Sequence, residues 1–175
     1  MFLMCLTTFS QKYFTRTGST EFIASVDDFK PVVAAKNNST TVIFKTDTGD
    51  IASQLFINAF QFKIALMQEH FNENYMDSHE FPKATFRGRI TGFYYNDATA
   101  NKNNDYGLVG KLIIKGVEKD IDTKAKVIIE DGKIKITSSF IVKASDFNID
   151  IPSIVRKKIA EKINISINYE LTEKK

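Results

Sequence analysis

Two histidines, one cysteine and 21 acidic residues are the side chains with which this chain of 175 residues could do acid–base, nucleophilic or metal chemistry. His70 and Glu73 stand three residues apart, so a helix would put them on one face, and His79 follows nine residues after His70. Such a group could serve a small hydrolase or a metal-dependent enzyme. It lacks the arrangement in which two His one turn apart share a face around a zinc ion. Asp77, Ser78 and His79 are the residue types of a catalytic triad. Adjacent residues point in different directions, however, and cannot line up in series. Gly88-Arg89-Ile90-Thr91-Gly92 and Gly107-Leu108-Val109-Gly110 match neither a dinucleotide fingerprint nor a P-loop, and both sit inside strand-like runs. Glycine there marks a bend or a close backbone approach. No base, nucleophile and oxyanion donor converge in the sequence, so the chain reads as a non-enzyme with no cofactor and no metal.

The elements that must position these residues form one domain, because single cores commonly grow to about 100–200 residues before they split. Apolar residues make up 43% and charged residues 26%, which suits a folded protein with a sizeable core. The net charge is +3, and no stretch concentrates the cations as a phosphate-tracking groove would, which argues against a nucleic-acid partner. Fifteen Phe with no Trp point to a large apolar interior.

Met1 to Ser10, MFLMCLTTFS, is free of charge and has the length of the apolar segment of a secretory leader, too short to span a bilayer. Thr8 and Ser10 supply small residues for cleavage before Gln11. The expectation is therefore a leader remnant at residues 1–10 and a mature domain at 11–175, periplasmic or secreted. Cys5 leaves with the leader, so the mature domain has no disulfide and relies on packing.

From Thr20 onward the chain alternates with period two. Ala125, Val127 and Ile129 oppose Lys124, Lys126 and Glu130, and Asp131-Gly132 follows as a tight hairpin turn. Ile134, Ile136, Ser138, Phe140 and Val142 repeat the pattern, as do Ile163, Ile165, Ile167, Tyr169 and Leu171. Further runs lie at Thr20–Ser25, Thr41–Thr46, Ile51–Phe60, Ala84–Tyr95 and Tyr106–Lys115. One wet and one dry face per strand indicates an antiparallel sheet. About eight strands is the number at which a sheet closes around a single small ligand, as in a carrier, or around its own side chains, as in a structural or adhesion barrel with a filled core. The fold class is mainly β: a single eight-stranded antiparallel barrel, lipocalin-like, with one or two short helices. Ile64–Ser78 is predicted helical from the spacing of Ile64, Met67, Phe71, Tyr75 and Ser78, and Pro152–Lys162 from Val155, Ile159 and Ile163. Asn96–Asp105 reads as a long exposed loop. Asn37, Asn38 and Asn164 head weak glycosylation sequons, and Arg156-Lys157-Lys158 is a short basic run whose plain reading is a solvated helix face.

The apolar candidates fall in two groups. Leu55, Ile57, Phe86, Ile90, Leu112, Ile114, Phe140, Ile165 and Ile167 are expected on the inner wall. Phe60, Phe62, Leu66, Met67, Phe71 and Tyr75, with Met76 and Phe81, are expected to form a lid over one end or a plug of the core.

Three blocks then occur in order: LMQEHFNENYMDSHEFPKATFRGRI at Leu66–Ile90, GLVGKLIIKGVEKDI at Gly107–Ile121 and FIVKASDFNIDIPS at Phe140–Ser153. Together they resemble the YceI-like family of secreted lipid-binding proteins, over roughly Phe14 to Leu171. The family's Lys-Tyr-Pro block stands here as Glu80-Phe81-Pro82, its Thr-Ile-His-Gly-Val as Ile113-Ile114-Lys115-Gly116-Val117, and its Asp-Phe-Gly as Asp146-Phe147-Asn148. Asn148 can take a positive φ much as Gly does, whereas Lys115 for His alters a polar position. The resemblance implies an extended lipocalin-type barrel without enzymatic activity. In its bore it would hold a long-chain apolar lipid, isoprenoid, quinone-like or fatty acyl. No nucleic acid and no stable membrane insertion are implied, and a homodimer that lengthens the cavity stays open.

Overall fold

The computed structural model describes residues 11–26, 30–96 and 105–174. The predicted leader at residues 1–10, with Cys5, and residues 97–104 of the predicted loop lie outside them. Nine antiparallel strands follow in order: β1 (Lys12–Ser25), β2 (Ala34–Lys45), β3 (Asp50–Phe56), β4 (Gln61–Phe62), β5 (Lys83–Thr91), β6 (Asp105–Ile114), β7 (Val117–Glu130), β8 (Lys133–Lys143) and β9 (Ile159–Glu173). Eight of them form a ring, β1-β9-β8-β7-β6-β5-β3-β2, which the β1–β2 ladder closes. The two-residue β4 pairs with Ala35 and Lys36 of β2, beyond the stretch that β3 occupies. Full closure leaves the ring without an exposed edge.

Alternation dictates the register. Glu130 pairs with Lys133 around Asp131 (φ 49°) and Gly132 (φ 72°), and Ile114 with Val117 around Lys115 (φ 48°) and Gly116 (φ 73°). Positive φ at both central residues is the hairpin turn whose twist matches the flanking strands. Gly88 and Gly110 face each other across β5 and β6. A Cβ at Gly88 would lie 2.2 Å from the Val109 carbonyl oxygen and 2.7 Å from Phe86 Cζ. The pair is thus a close backbone approach over which the Phe86 ring lies.

Three expectations change. β1 begins at Lys12 rather than Thr20, bent by register shifts around Gly18, where a Cβ would meet the Tyr169 ring at 2.7 Å. The run from Ile51 leaves the sheet at Phe56, because Ile57–Ala59 forms a 3-10 turn that buries Ile57. Pro152–Lys162 is not a helix. After a 3-10 turn at Ser153–Val155 the chain enters β9 at Ile159, where Val142↔Ile163 and Lys143↔Lys162 ladder bonds to β8 outcompete the helical spacing. The predicted helical stretch forms α1 (Ala65–His70), continued by a wider π turn at Phe71–Tyr75.

The interior differs from end to end. At one end Tyr13, Val42, Phe44, Ile90, Phe93, Leu108, Val127, Ile134, Ile136 and Leu171 pack into a filled core. Tyr13 Oη and Tyr95 Oη meet at 3.1 Å there, and Phe93 packs edge-on against Phe44 and Tyr106. Toward the other end the same strands contribute Leu112, Ile114, Phe140, Val142, Ile163, Ile165 and Ile167, which line space instead of filling it.

The apolar bore as candidate functional site

Two cavities lie end to end in the hollow half. The inner one, about 140 Å³, is walled by Leu55 and Ile57 from the β3 end, Phe86 from β5, Leu112 and Ile114 from β6, Phe140 and Val142 from β8, and Ile163, Ile165 and Ile167 from β9. Each strand offers every second side chain, so the wall is the dry face of the alternation read in the sequence. Its inner limit carries hydroxyls. Thr20 Oγ1 is 2.9 Å from Thr40 Oγ1 and 3.2 Å from Tyr169 Oη. Burial pushes the Tyr169 hydroxyl above the ordinary tyrosine range, against hydrogen bonds with Thr20 and Ser53 that lower it. These groups satisfy one another, as buried hydroxyls must, and leave a wall that is apolar almost throughout.

The outer cavity, about 510 Å³, lies under α1 and the connections β1–β2 and β8–β9. Phe62, Ile64, Leu66, Met67, His70 and Tyr75 face Pro31, Val33, Ile151, Val155, Lys158 and Ile159 across it. Its size falls within the range of about 300–1,000 Å³ common for small-molecule sites, which the inner cavity reaches only in continuity with it. Phe22, Phe71, Met76, Ala144, Ile149 and Ile163 border both. At that constriction the Phe71 ring stacks on Phe22 at 5.3 Å and packs against Phe60 and Phe62 at 5.7 and 5.1 Å.

Of the residues expected to line the bore, Leu55, Ile57, Phe60, Phe86, Leu112, Ile114, Phe140, Ile165 and Ile167 face the inner cavity. Phe62, Leu66, Met67 and Tyr75 face the outer one, and Phe71 faces both. Ile90 is placed elsewhere, fully buried in the filled end. Sequence reading missed Phe22, Ile149 and Ile163, which reach the constriction from connections and strand ends. Phe22 carried a legible signal, since it alternates within the Thr20–Ser25 run.

The polar candidates do not converge. His70 lies on the rim of the outer cavity, and Glu73 and His79 are exposed. Among the described residues no three His, Cys, Asp or Glu side chains group closely enough to hold a metal ion. Asp77 (φ 44°) pairs with Lys115 at 2.6 Å instead of with a neighbouring histidine. The same lysine Nζ donates to the Tyr75 carbonyl at 3.1 Å. Lys115 thus faces the lid segment, and it borders neither cavity.

A family model for the YceI-like domain matches residues 8–171. The chain belongs to the YceI-like domain family. The blocks that carry the YceI-like resemblance touch one another. Gly116 leaves room for the Phe81 ring, which a Cβ would meet at 3.0 Å. Phe147 is buried beside the inner cavity, and Asn148 takes the left-handed conformation (φ 54°, ψ 32°) at the end of its turn. Solved structures share the YceI-like barrel. A polyisoprenoid-binding domain from Saccharophagus degradans superposes with a TM-score of 0.77 at 13% identity, covering 95% of this chain and all of that one. BcnA from Burkholderia cenocepacia gives 0.70 at 17% identity, covering 88% and 96%. A YceI protein of Campylobacter jejuni gives 0.61 at 19%, covering 78% and 81%. The search of curated proteins found no match. Among the described residues no helix is long and apolar enough to cross a membrane.

Proposed function

We infer that the protein is a non-enzymatic carrier that holds one long-chain apolar lipid, isoprenoid, quinone-like or fatty acyl, in its half-hollow barrel. The observation that carries this reading is the division of the interior: one end occupied by a cluster of buried side chains, the other an apolar tunnel that widens toward a lid of aromatic and methionine side chains. The polyisoprenoid-binding domain of Saccharophagus degradans, with the same fold, supports an isoprenoid as the first class to test. Transfer of apolar chain from water stabilises the complex by about 25 cal/mol per Å², less the cost of ordering a flexible lipid. An apolar wall separates ligands that differ by one methylene by only about 1–3 kcal/mol, so selection by chain length is loose. The test is native mass spectrometry of protein purified without detergent, followed by extraction and identification of the lipid. An adduct of lipid mass is expected, and protein that stays empty when offered polyprenols, quinones and fatty acids would overturn the reading.

The site of action in this reading is periplasmic or secreted. The charge-free segment Met1–Ser10 supports it, as does the start of the first strand at Lys12, next to the expected cleavage bond. N-terminal sequencing of the exported protein should return Gln11 first. An uncleaved chain retained in the cytoplasm would refute export.

A further inference from the structure

Three chain segments ring the outer cavity: the β1–β2 connection, the lid segment that enters and forms α1 and its π turn, and the β8–β9 connection. Each turns an apolar side chain outward at the rim. Val32 is 40% exposed, Leu66 57% and Ile154 85%, the last being the most exposed large apolar side chain among the described residues. Ile154 stands at the centre of the 3-10 turn Ser153–Val155, and Arg156 Nε braces that turn by donating to the Ile151 carbonyl at 3.1 Å. Arg156, Lys157 and Lys158 follow immediately, all exposed, with no carboxylate between Ser153 and Ala160. Lys30 and Lys63 add exposed cations on the other two segments. Among the described residues the exposed carboxylates on these segments are Glu69, Glu73, Asp146 and Asp150, and Glu161 follows Lys158 by three residues at the start of β9; Asp27 and Asp28 of the β1–β2 connection lie outside the described residues. The basic run therefore lies on a braced turn at a cavity mouth, beside a side chain with no packing role, rather than on the solvated helix face that its sequence suggested.

We propose that this rim is a docking surface for a lipid bilayer bearing anionic headgroups. Apolar side chains that reach the acyl boundary, flanked by cations at headgroup level, are the two elements of interfacial binding. The charge complementarity of the Arg156-Lys157-Lys158 run selects an anionic surface. Its position at the mouth gives a lipid a path from bilayer to bore that avoids water. The purpose of docking rests on the carrier reading, but its test does not.

Sedimentation with vesicles measures the partition directly. The protein should bind phosphatidylcholine vesicles containing about one-third phosphatidylglycerol, bind pure phosphatidylcholine more weakly, and lose the difference as salt rises. Lys157→Glu should weaken binding to the anionic vesicles about five- to thirtyfold, while Lys157→Arg keeps it. Ile154→Ser should weaken binding about tenfold. Neither residue borders a cavity, so uptake of a fluorescent polyene fatty acid from solution should be the same in every variant. The proposal is overturned if the unaltered protein does not bind anionic vesicles, binds both compositions equally, or binds as well after both substitutions. Fatty-acid uptake that persists in that event would leave the carrier reading intact.

Discussion

The Lys115 ammonium lies 2.6 Å from the Asp77 carboxylate and donates to the Tyr75 carbonyl, so a single side chain in the β6–β7 turn fastens the C-terminal end of the lid to the barrel. The geometry asks two things of position 115: a backbone at positive φ and a cation. Lys115→Gly keeps the first and removes the second. The pair is partly exposed, so global stability should change by less than about 1 kcal/mol in urea denaturation. Release of a bound fluorescent polyene fatty acid, followed by stopped flow, should nevertheless become faster. An unchanged release rate would show that the fastening does not restrain the lid.

Phe71 joins the two cavities, in contact with Phe22, Phe60 and Phe62. Phe71→Ala should merge them and speed ligand release more than it lowers stability. The ring is only partly buried, so the loss should fall below the roughly 3–5 kcal/mol of a fully buried Phe. A full loss with unchanged release would make the segment a plug of the core.

Gly88→Ala would press a methyl group on the Val109 carbonyl and the Phe86 ring. Separation of β5 from β6, or displacement of Phe86 into the inner cavity, must follow. Stability should fall by about 1–3 kcal/mol, and binding of the fatty-acid probe should weaken as the bore narrows. Retention of both would mean that the strands yield more easily than their packing implies.

Tyr13 and Tyr169 both hold their protons above the ordinary tyrosine range, chiefly through burial, and in Tyr13 also through the hydrogen bond with Tyr95. Between the unfolded tyrosine value of about 10 and the higher folded value, the unfolded state binds fewer protons than the folded one. Stability is therefore unaffected by these groups below pH about 10 and falls as pH rises past it. Thermal melts from pH 8 to about 11.5 should show this decline, and Tyr169→Phe should shallow it. An equally steep decline in the variant would assign the loss to other groups.

Strands with strict alternation and a Gly-containing turn were legible in the sequence. β7, the Asp131-Gly132 turn, β8 and the main part of β9 fall where period two puts them. Lys115-Gly116 between two apolar runs carried the same turn signal and was hidden inside a longer apolar stretch. The start of β9 was misread because Val155, Ile159 and Ile163 fit a helical spacing as well as a strand, and ladder partners on β8 decide between the two. The wall of the bore was legible for a related reason, since a barrel turns every dry strand face inward. How far along each strand filling gives way to space depends on ring packing among Tyr13, Phe44, Phe93 and Tyr106, which pairs residues distant in sequence. Ile90 alternates like a wall residue, and only that ring packing places it in the filled end. Ile149 reaches the constriction from the β8–β9 connection, whose course no local pattern encodes, whereas Phe22 opposite it lies in a strand whose alternation was legible.

The filled end of the barrel makes the bore a blind tube. On the carrier reading, a chain that enters tail first would advance only to the hydroxyl floor of Thr20 and Tyr169, and the tube would act as a depth gauge. Every ligand longer than that depth would then stand out of the mouth by its excess length. Such overhang would be handled by whatever surface meets the rim, so two lipids with identical buried portions could still be told apart by the part the protein never encloses.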